Sequence, residues 1–152
     1  MTVMTPTMTV VHGVAYKDGK YLLIQERDGS WYFPAGRIHN NETIIDGLIR
    51  EVREESGLDC IVTGLITIEH TFIHEDKDPS ARLVVIFEIE LIGGQLKIFP
   101  DTDTLQAKWF DISEIVELPL RSIALLEILE NYQKLKGENR ILPIEYFNTY
   151  VF

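Results

Sequence analysis

The spacing of apolar residues switches between two periods along this chain, and the switches mark its elements. Val10 to Tyr16 reads as a strand, and Tyr21 to Arg27 as its partner, because Lys17-Asp18-Gly19-Lys20 between them is a hairpin signal. Asp28-Gly29-Ser30 is a second turn, and Trp31-Tyr32-Phe33 a short aromatic strand running into Pro34-Ala35-Gly36. The period then becomes helical: Ile45, Leu48, Ile49 and Val52 recur at three, four and seven and form one buried stripe. Asn40 and Asn41 are placed to cap that helix, Glu42 suits its positive end, and Gly57 sits where a left-handed residue ends a helix. Cys60 to Thr71 alternates as a strand, and His74 to Ser80 is a charged loop. Arg82 to Ile92 is a β-branched strand stopped by Gly93-Gly94. Pro100 to Thr104 is an acidic loop and Ala107 to Phe110 a short strand. Asp111 caps a helical turn through Glu117, and Leu120 to Leu135 has a helical period with Leu125, Leu126, Ile128 and Leu129 inward.

Strands precede and follow one central helix, and a second helix comes late. This order predicts an α/β sandwich with a mixed sheet. The 152 residues are enough for one domain with a real core, so 1–152 is read as a single unit. Residues 1–8 are rich in Thr and Met and are expected to be loose. The segment 141–152 is unusually apolar; it either packs on the domain or covers a partner subunit, which leaves a homodimer open.

A net charge of −10 argues against binding a nucleic-acid duplex through its backbone, but not against a small phosphorylated ligand held through a metal. Cys60 is the only cysteine, so no internal disulfide forms. The start has no basic segment followed by an apolar run of signal length, and no window is long and apolar enough to span a membrane. A cytoplasmic protein is expected.

Glu51, Glu54 and Glu55 share a helix face away from the buried stripe. Unpartnered like charges there destabilise the helix slightly, and a divalent cation removes the repulsion. Acidic helix faces are usually only solvated surface. Here Gly36, Glu42, Arg50, Glu51, Glu54, Glu55 and Gly57 together fit G-x5-E-x7-R-E-U-x-E-E-x-G-U, with Val52 and Leu58 in the aliphatic slots. At roughly 7% per fixed residue, that coincidence arises about once in 10^8 starts.

The stretch from Gly36 to Leu58 resembles a complete Nudix box, the signature of the Nudix hydrolases. The resemblance implies an α/β/α sandwich with a central mixed sheet. It also implies cleavage of a phosphoanhydride bond in a nucleoside diphosphate derivative, with Mg2+ or Mn2+. It puts the metal on Glu51, Glu54, Glu55 and the carbonyl of Gly36, the last by family analogy. Glu54 is the first choice for the proton acceptor, with Asp101 and Asp103 as loop alternatives that are otherwise ordinary turn residues. Arg50, within reach of Glu54, Glu51 and Glu42, is assigned an orienting role. Arg27 and Arg37 are candidates for substrate phosphates or are surface residues. Phe33 and Phe72, with Trp31 and Tyr32, could stack on a base or belong to the core. His39, His70 and His74 read as surface or packing residues.

The runs WYFPAGRIHNNETI, REVREESGLDC, GGQLK and TLQAKWF are similar to the branch acting on oxidised guanine nucleoside diphosphates, which converts 8-oxo-(d)GDP to the monophosphate. Nucleoside triphosphates, ADP-ribose, dinucleoside polyphosphates and RNA 5′ ends are the other substrate classes of the family. A non-catalytic sensor on the same fold is the third reading, against which all box carboxylates are retained. Gly47 stands mid-helix where relatives often have Ala, at up to about 1 kcal/mol of helix stability. His39-Asn40-Asn41 replaces a common Pro-Gly turn.

Overall fold

The computed structural model describes residues 5–73 and 80–150. Strands β1 (Thr7–Lys17) and β2 (Lys20–Glu26) form the expected hairpin, whose turn residues Asp18 and Gly19 have φ of 52° and 77°. They are followed by β3 (Trp31–Tyr32), β4 (Ala35–Arg37) and helix α1 (Ile44–Ser56). Strands β5 (Leu58–Ile73), β6 (Ser80–Gly94) and β7 (Thr104–Phe110) come next. Helices α2 (Ile112–Ile115) and α3 (Ala124–Gly137), strand β8 (Leu142–Pro143) and a 3-10 turn (Ile144–Tyr146) complete the order.

The sheet runs β3-β2-β1-β6-β5-β8, with β4 added to β1 and β7 to β2. β1 and β6 are parallel, in register from Thr7–Ala81 to Ala15–Ile89, while β5 and β6 are antiparallel, so the sheet is mixed. Alternation along the central strands splits the core into two layers. Val14 of β1 and Val84 and Ile86 of β6 pack with Leu125, Ile128, Leu129 and Tyr132 of α3. Val11 and Ala15 of β1 and Val85, Phe87 and Ile89 of β6 pack with Leu48 and Val52 of α1. Burial on both faces is why β1 and β6 read as continuous apolar runs. The architecture is the α/β sandwich with a mixed sheet that the residue pattern predicts.

Several boundaries differ from the sequence reading for reasons of tertiary pairing. β1 begins at Thr7, inside the stretch expected to be loose, because Thr7 and Met8 pair with Ala81 and Arg82. The last helix begins at Ala124 rather than Leu120: Leu120 bridges Trp31, and the Arg121 N–H donates to the Trp31 carbonyl at 3.0 Å. The loop from His74 lies outside the described residues up to 79. The apolar tail packs on its own chain: β8 pairs with β5 at Gly64 and Leu65, and Phe147 meets Phe87 edge to face at 5.1 Å.

Candidate functional site

Helix α1 is held at both ends. Thr43, not Asn40 or Asn41, is its cap: with extended backbone, its hydroxyl accepts from the Asp46 N–H at 3.1 Å. Glu42 therefore lies one residue outside the helix, where it accepts from the His39 N–H at 2.8 Å. Gly57 ends the helix in the left-handed region, as expected. The loop after β6 straps this end. The Lys97 N–H donates to the Ser56 carbonyl at 2.7 Å, and the Lys97 ammonium reaches the Glu54 carbonyl, the Asp101 carboxylate and the Thr104 hydroxyl. A cation at a helix C-terminus is favourable, and all three ammonium protons have acceptors here.

Arg50 links the box carboxylates. Its guanidinium donates to both oxygens of Glu42 at 2.7 and 2.9 Å, to Glu51 at 2.8 Å and to Glu54 at 3.1 Å. It also donates to the Arg37 carbonyl at 3.1 Å, tying α1 to β4. The bonds from Arg50 hold the Glu42 carboxyl down at about 2, and the acids raise the Arg50 guanidinium in turn.

Glu51 and Glu55 face β4, one turn apart. Glu51 lies against Gly36: a Cβ on that glycine would fall 2.1 Å from the Glu51 carboxyl carbon. Only a residue without a side chain admits this approach. Glu55 accepts from the Ala35 N–H at 2.7 Å, and burial pushes it up to about 8. Burial also raises Glu51. Glu54 points outward, with 48% of its side chain exposed. The three carboxylates do not converge: among the described residues, no group of three acidic, His or Cys side chains is arranged around one point. Each acid instead has its own protein partner, Arg50 for Glu51 and Glu54, and the Ala35 amide for Glu55.

On the α3 side of the sheet, Gly36 also forms part of a cleft of about 380 Å³. Arg37, Arg82 and Arg121 line it, together with Tyr32, His12 and Glu69. The Arg121 guanidinium lies 5.7 Å from the Tyr32 ring centre and also pairs with Glu26 at 2.7 Å. Two cavities of about 460 and 480 Å³ lie elsewhere, but neither includes an arginine or a residue of the box.

The sequence candidates separate accordingly. Arg37 lines the cleft. Arg27 does not; it donates to the Asp101 carbonyl at 2.8 Å and so pins a surface loop. Phe33 is a core residue, 2% exposed, and Trp31 packs against Phe110, so neither can stack on a ligand. Phe72 is half exposed on β5 and is not part of the cleft wall. Asp101 serves its own turn, accepting from the Asp103 and Thr104 amides at 2.9 and 3.0 Å and pairing with Lys97, which holds its carboxyl low. His39 and His70 are exposed, and His74 lies outside the described residues. The sequence reading missed Arg82, Arg121 and His12. A lone imidazole inside the apolar run VVHGVAY was the one signal for His12; nothing local marks the two arginines, which meet only through folding.

The NUDIX domain family model matches residues 6–132. The chain belongs to the Nudix family. Its box helix is α1, and the Gly36 to Leu58 pattern lies across β4, α1 and the start of β5. Over 133 residues this Nudix chain is 37% identical to 8-oxo-dGDP phosphatase NUDT18 of Homo sapiens, covering 82% of the chain and 39% of that protein. It is 30% identical over 132 residues to the ADP-ribose pyrophosphatase of Methanocaldococcus jannaschii, covering 84% of the chain and 73% of that protein. A solved NUDIX hydrolase from Nitrosomonas europaea superposes with a TM-score of 0.78 at 26% identity, covering 96% of this chain and 98% of that one. The chain spans only 26% to 39% of the length of the first curated relatives it matches.

Proposed function

We propose that this Nudix protein hydrolyses a phosphoanhydride bond in a nucleoside diphosphate derivative, with 8-oxo-(d)GDP as the leading substrate, cleaved to the monophosphate and phosphate. One observation carries the reading. Gly36 both receives the Glu51 carboxylate and forms part of the wall of a cleft lined by three arginines, so the acidic box and the arginine-lined cleft share one residue. The likeness to the human 8-oxo-dGDP phosphatase favours the substrate. The longer coverage of the archaeal ADP-ribose pyrophosphatase keeps ADP-ribose as the second reading.

The donors fit a hard divalent ion: Glu51, Glu54, Glu55 and the Gly36 carbonyl offer oxygen only, and the missing Cβ at Gly36 lets carboxylate and backbone oxygens approach one another. Bound Mg2+ or Mn2+ would supply Lewis acidity toward the phosphate and a more acidic water. Arg37, Arg82 and Arg121 neutralise the substrate's phosphates and orient them by forked hydrogen bonds. Arg50 fixes Glu51 and Glu54 relative to β4. Glu54, the most exposed of the three acids, accepts the proton of the attacking water as the phosphoanhydride P–O bond breaks.

The test is phosphate release with Mg2+ from 8-oxo-dGDP, 8-oxo-dGTP and dGTP, with and without added pyrophosphatase, and from ADP-ribose and a dinucleoside polyphosphate with added alkaline phosphatase, which frees phosphate from their monoester products. Direct phosphate from 8-oxo-dGDP above the others is the expected result. Turnover of ADP-ribose alone would replace the leading substrate by the second. Tight binding of a nucleotide with no turnover of any would favour a sensor.

A further inference from the structure

His12 lies on β1 in the wall of the arginine-lined cleft and is 8% exposed. Its Nδ1 is covered by protein and is the buried side-chain nitrogen or oxygen that lacks a hydrogen-bond partner among the described residues. Leaving such a group unsatisfied destabilises a fold, so a site that keeps one has a use for it. The surroundings say which use. The ring meets Tyr32 edge to face at 5.1 Å and Phe33 at 6.3 Å, so its neighbours there are aromatic rings. Burial, and after it the guanidiniums of Arg121 and Arg82, hold the imidazole well below its usual range, so it stays neutral. A neutral imidazole adds nothing to phosphate binding that three arginines do not already supply. Its remaining capacity is a directional, uncharged hydrogen bond of the kind a nucleobase edge offers.

We propose that His12 is a specificity-determining residue that hydrogen-bonds the nucleobase of the substrate. Because Nδ1 is covered by protein, this hydrogen bond requires a half-turn of the ring about its Cβ–Cγ bond on binding, to turn that nitrogen away from the protein. The proposal deepens the nucleotide reading of this cleft and rests on it.

The test compares wild type, H12L and H12N on 8-oxo-dGDP and on ribose 5-diphosphate, which keeps the phosphates and sugar but has no base. KM and kcat are measured with Mg2+, equilibrium binding by calorimetry, and Tm for each protein. Leu removes the hydrogen bond and the unsatisfied nitrogen together; Asn places an amide near the position of Nδ1. H12L is expected to weaken binding of 8-oxo-dGDP, read as KM or Kd, about tenfold relative to ribose 5-diphosphate, the worth of one neutral hydrogen bond. Tm should rise, because the unsatisfied group is gone. H12N should restore most of the base-dependent affinity. An unchanged ratio between the two compounds in H12L overturns the role of His12 while the nucleotide reading stands. Wild-type binding of 8-oxo-dGDP no tighter than ribose 5-diphosphate also overturns it. Binding that depends on His12 without turnover of either compound keeps the proposal and overturns hydrolysis instead. Equal losses for both compounds with a lowered Tm assign His12 to packing.

Discussion

Gly36→Ala is the sharpest probe of the candidate site, because one methyl group lands on one carboxylate. The added Cβ would sit 2.1 Å from the Glu51 carboxyl carbon and 2.2 and 2.5 Å from its oxygens. Ordinary contact begins near 3.4 Å, so the carboxylate must withdraw by about 1 Å or more. Gly36 pairs with Val11 in the sheet, which prevents the backbone from yielding instead. Glu51 is nearly buried, with 14% of its side chain exposed, and donates nothing itself; it accepts from Arg50 at 2.8 Å. Withdrawal breaks that charge-assisted bond, at about 2 kcal/mol. In a chain of this size the loss lowers Tm by about 4–8 °C. A misplacement of about 1 Å at a positioned group costs about 100-fold in rate. Calorimetric Tm and Mg2+-dependent turnover of the best substrate measure both. Wild-type turnover together with an unchanged Tm would refute the claim that the Glu51 approach to Gly36 organises the site. A fallen Tm with intact turnover would assign the contact to folding alone.

Glu54→Gln should lower turnover by about 10^2–10^4-fold with Tm nearly unchanged, since Glu54 is half exposed; turnover like wild type would remove it from the proton transfer. The His12 contribution to stability should fall as pH is lowered: burial drops its pKa from 6.5 to about 4 on folding, so the unfolded chain binds the extra proton between those values, while Glu55, pushed up to about 8, acts in the opposite direction and is common to wild type and H12L. That linkage is worth about 3 kcal/mol, fully present above pH 6.5 and lost by about pH 4, and urea titrations of wild type against H12L would read it as a difference in slope. Lys97→Met removes the ammonium from the Glu54 carbonyl, Asp101 and Thr104 and should destabilise by about 1–3 kcal/mol, detectable by denaturant unfolding. Ending the chain at Asn139 strips β8 and the Phe147–Phe87 contact, so Tm should fall; a changed gel-filtration class would instead revive the tail as a subunit contact.

The elements and the acidic half of the site were written locally in the chain. The period of Ile45, Leu48, Ile49 and Val52 marks α1 because a helix repeats its buried face every three to four residues, whatever lies opposite. Asp18-Gly19 and Gly57 announce their turns because few residues adopt a positive φ. Glu51, Glu54, Glu55 and Arg50 lie within two helical turns, so their grouping needs no tertiary information. Gly47 is a case where local reading gave a sign without a reason. It looks like a small loss of helix stability, yet a Cβ there would meet the Ile38 side chain at 2.5 Å and the Glu42 carboxylate at 2.9 Å, so the glycine makes room for those two side chains.

What folding alone decided is everything that joins residues far apart in the chain. Whether Trp31, Tyr32 or Phe33 faces a ligand depends on which side of a two-residue strand is covered, and consecutive aromatics look alike in sequence. The cleft gathers Arg37 from β4, Arg82 from β6 and Arg121 from the segment before α3, and none carries a local signature. Arg27 looked as good a phosphate ligand as Arg37 in the sequence, but the fold spends it on a loop carbonyl. Charge patterns report on neighbours within a helix turn or a hairpin. The arginine-lined cleft draws on β1 and β6, which pair in parallel across a long stretch of sequence, and only the packed sheet brings its walls together.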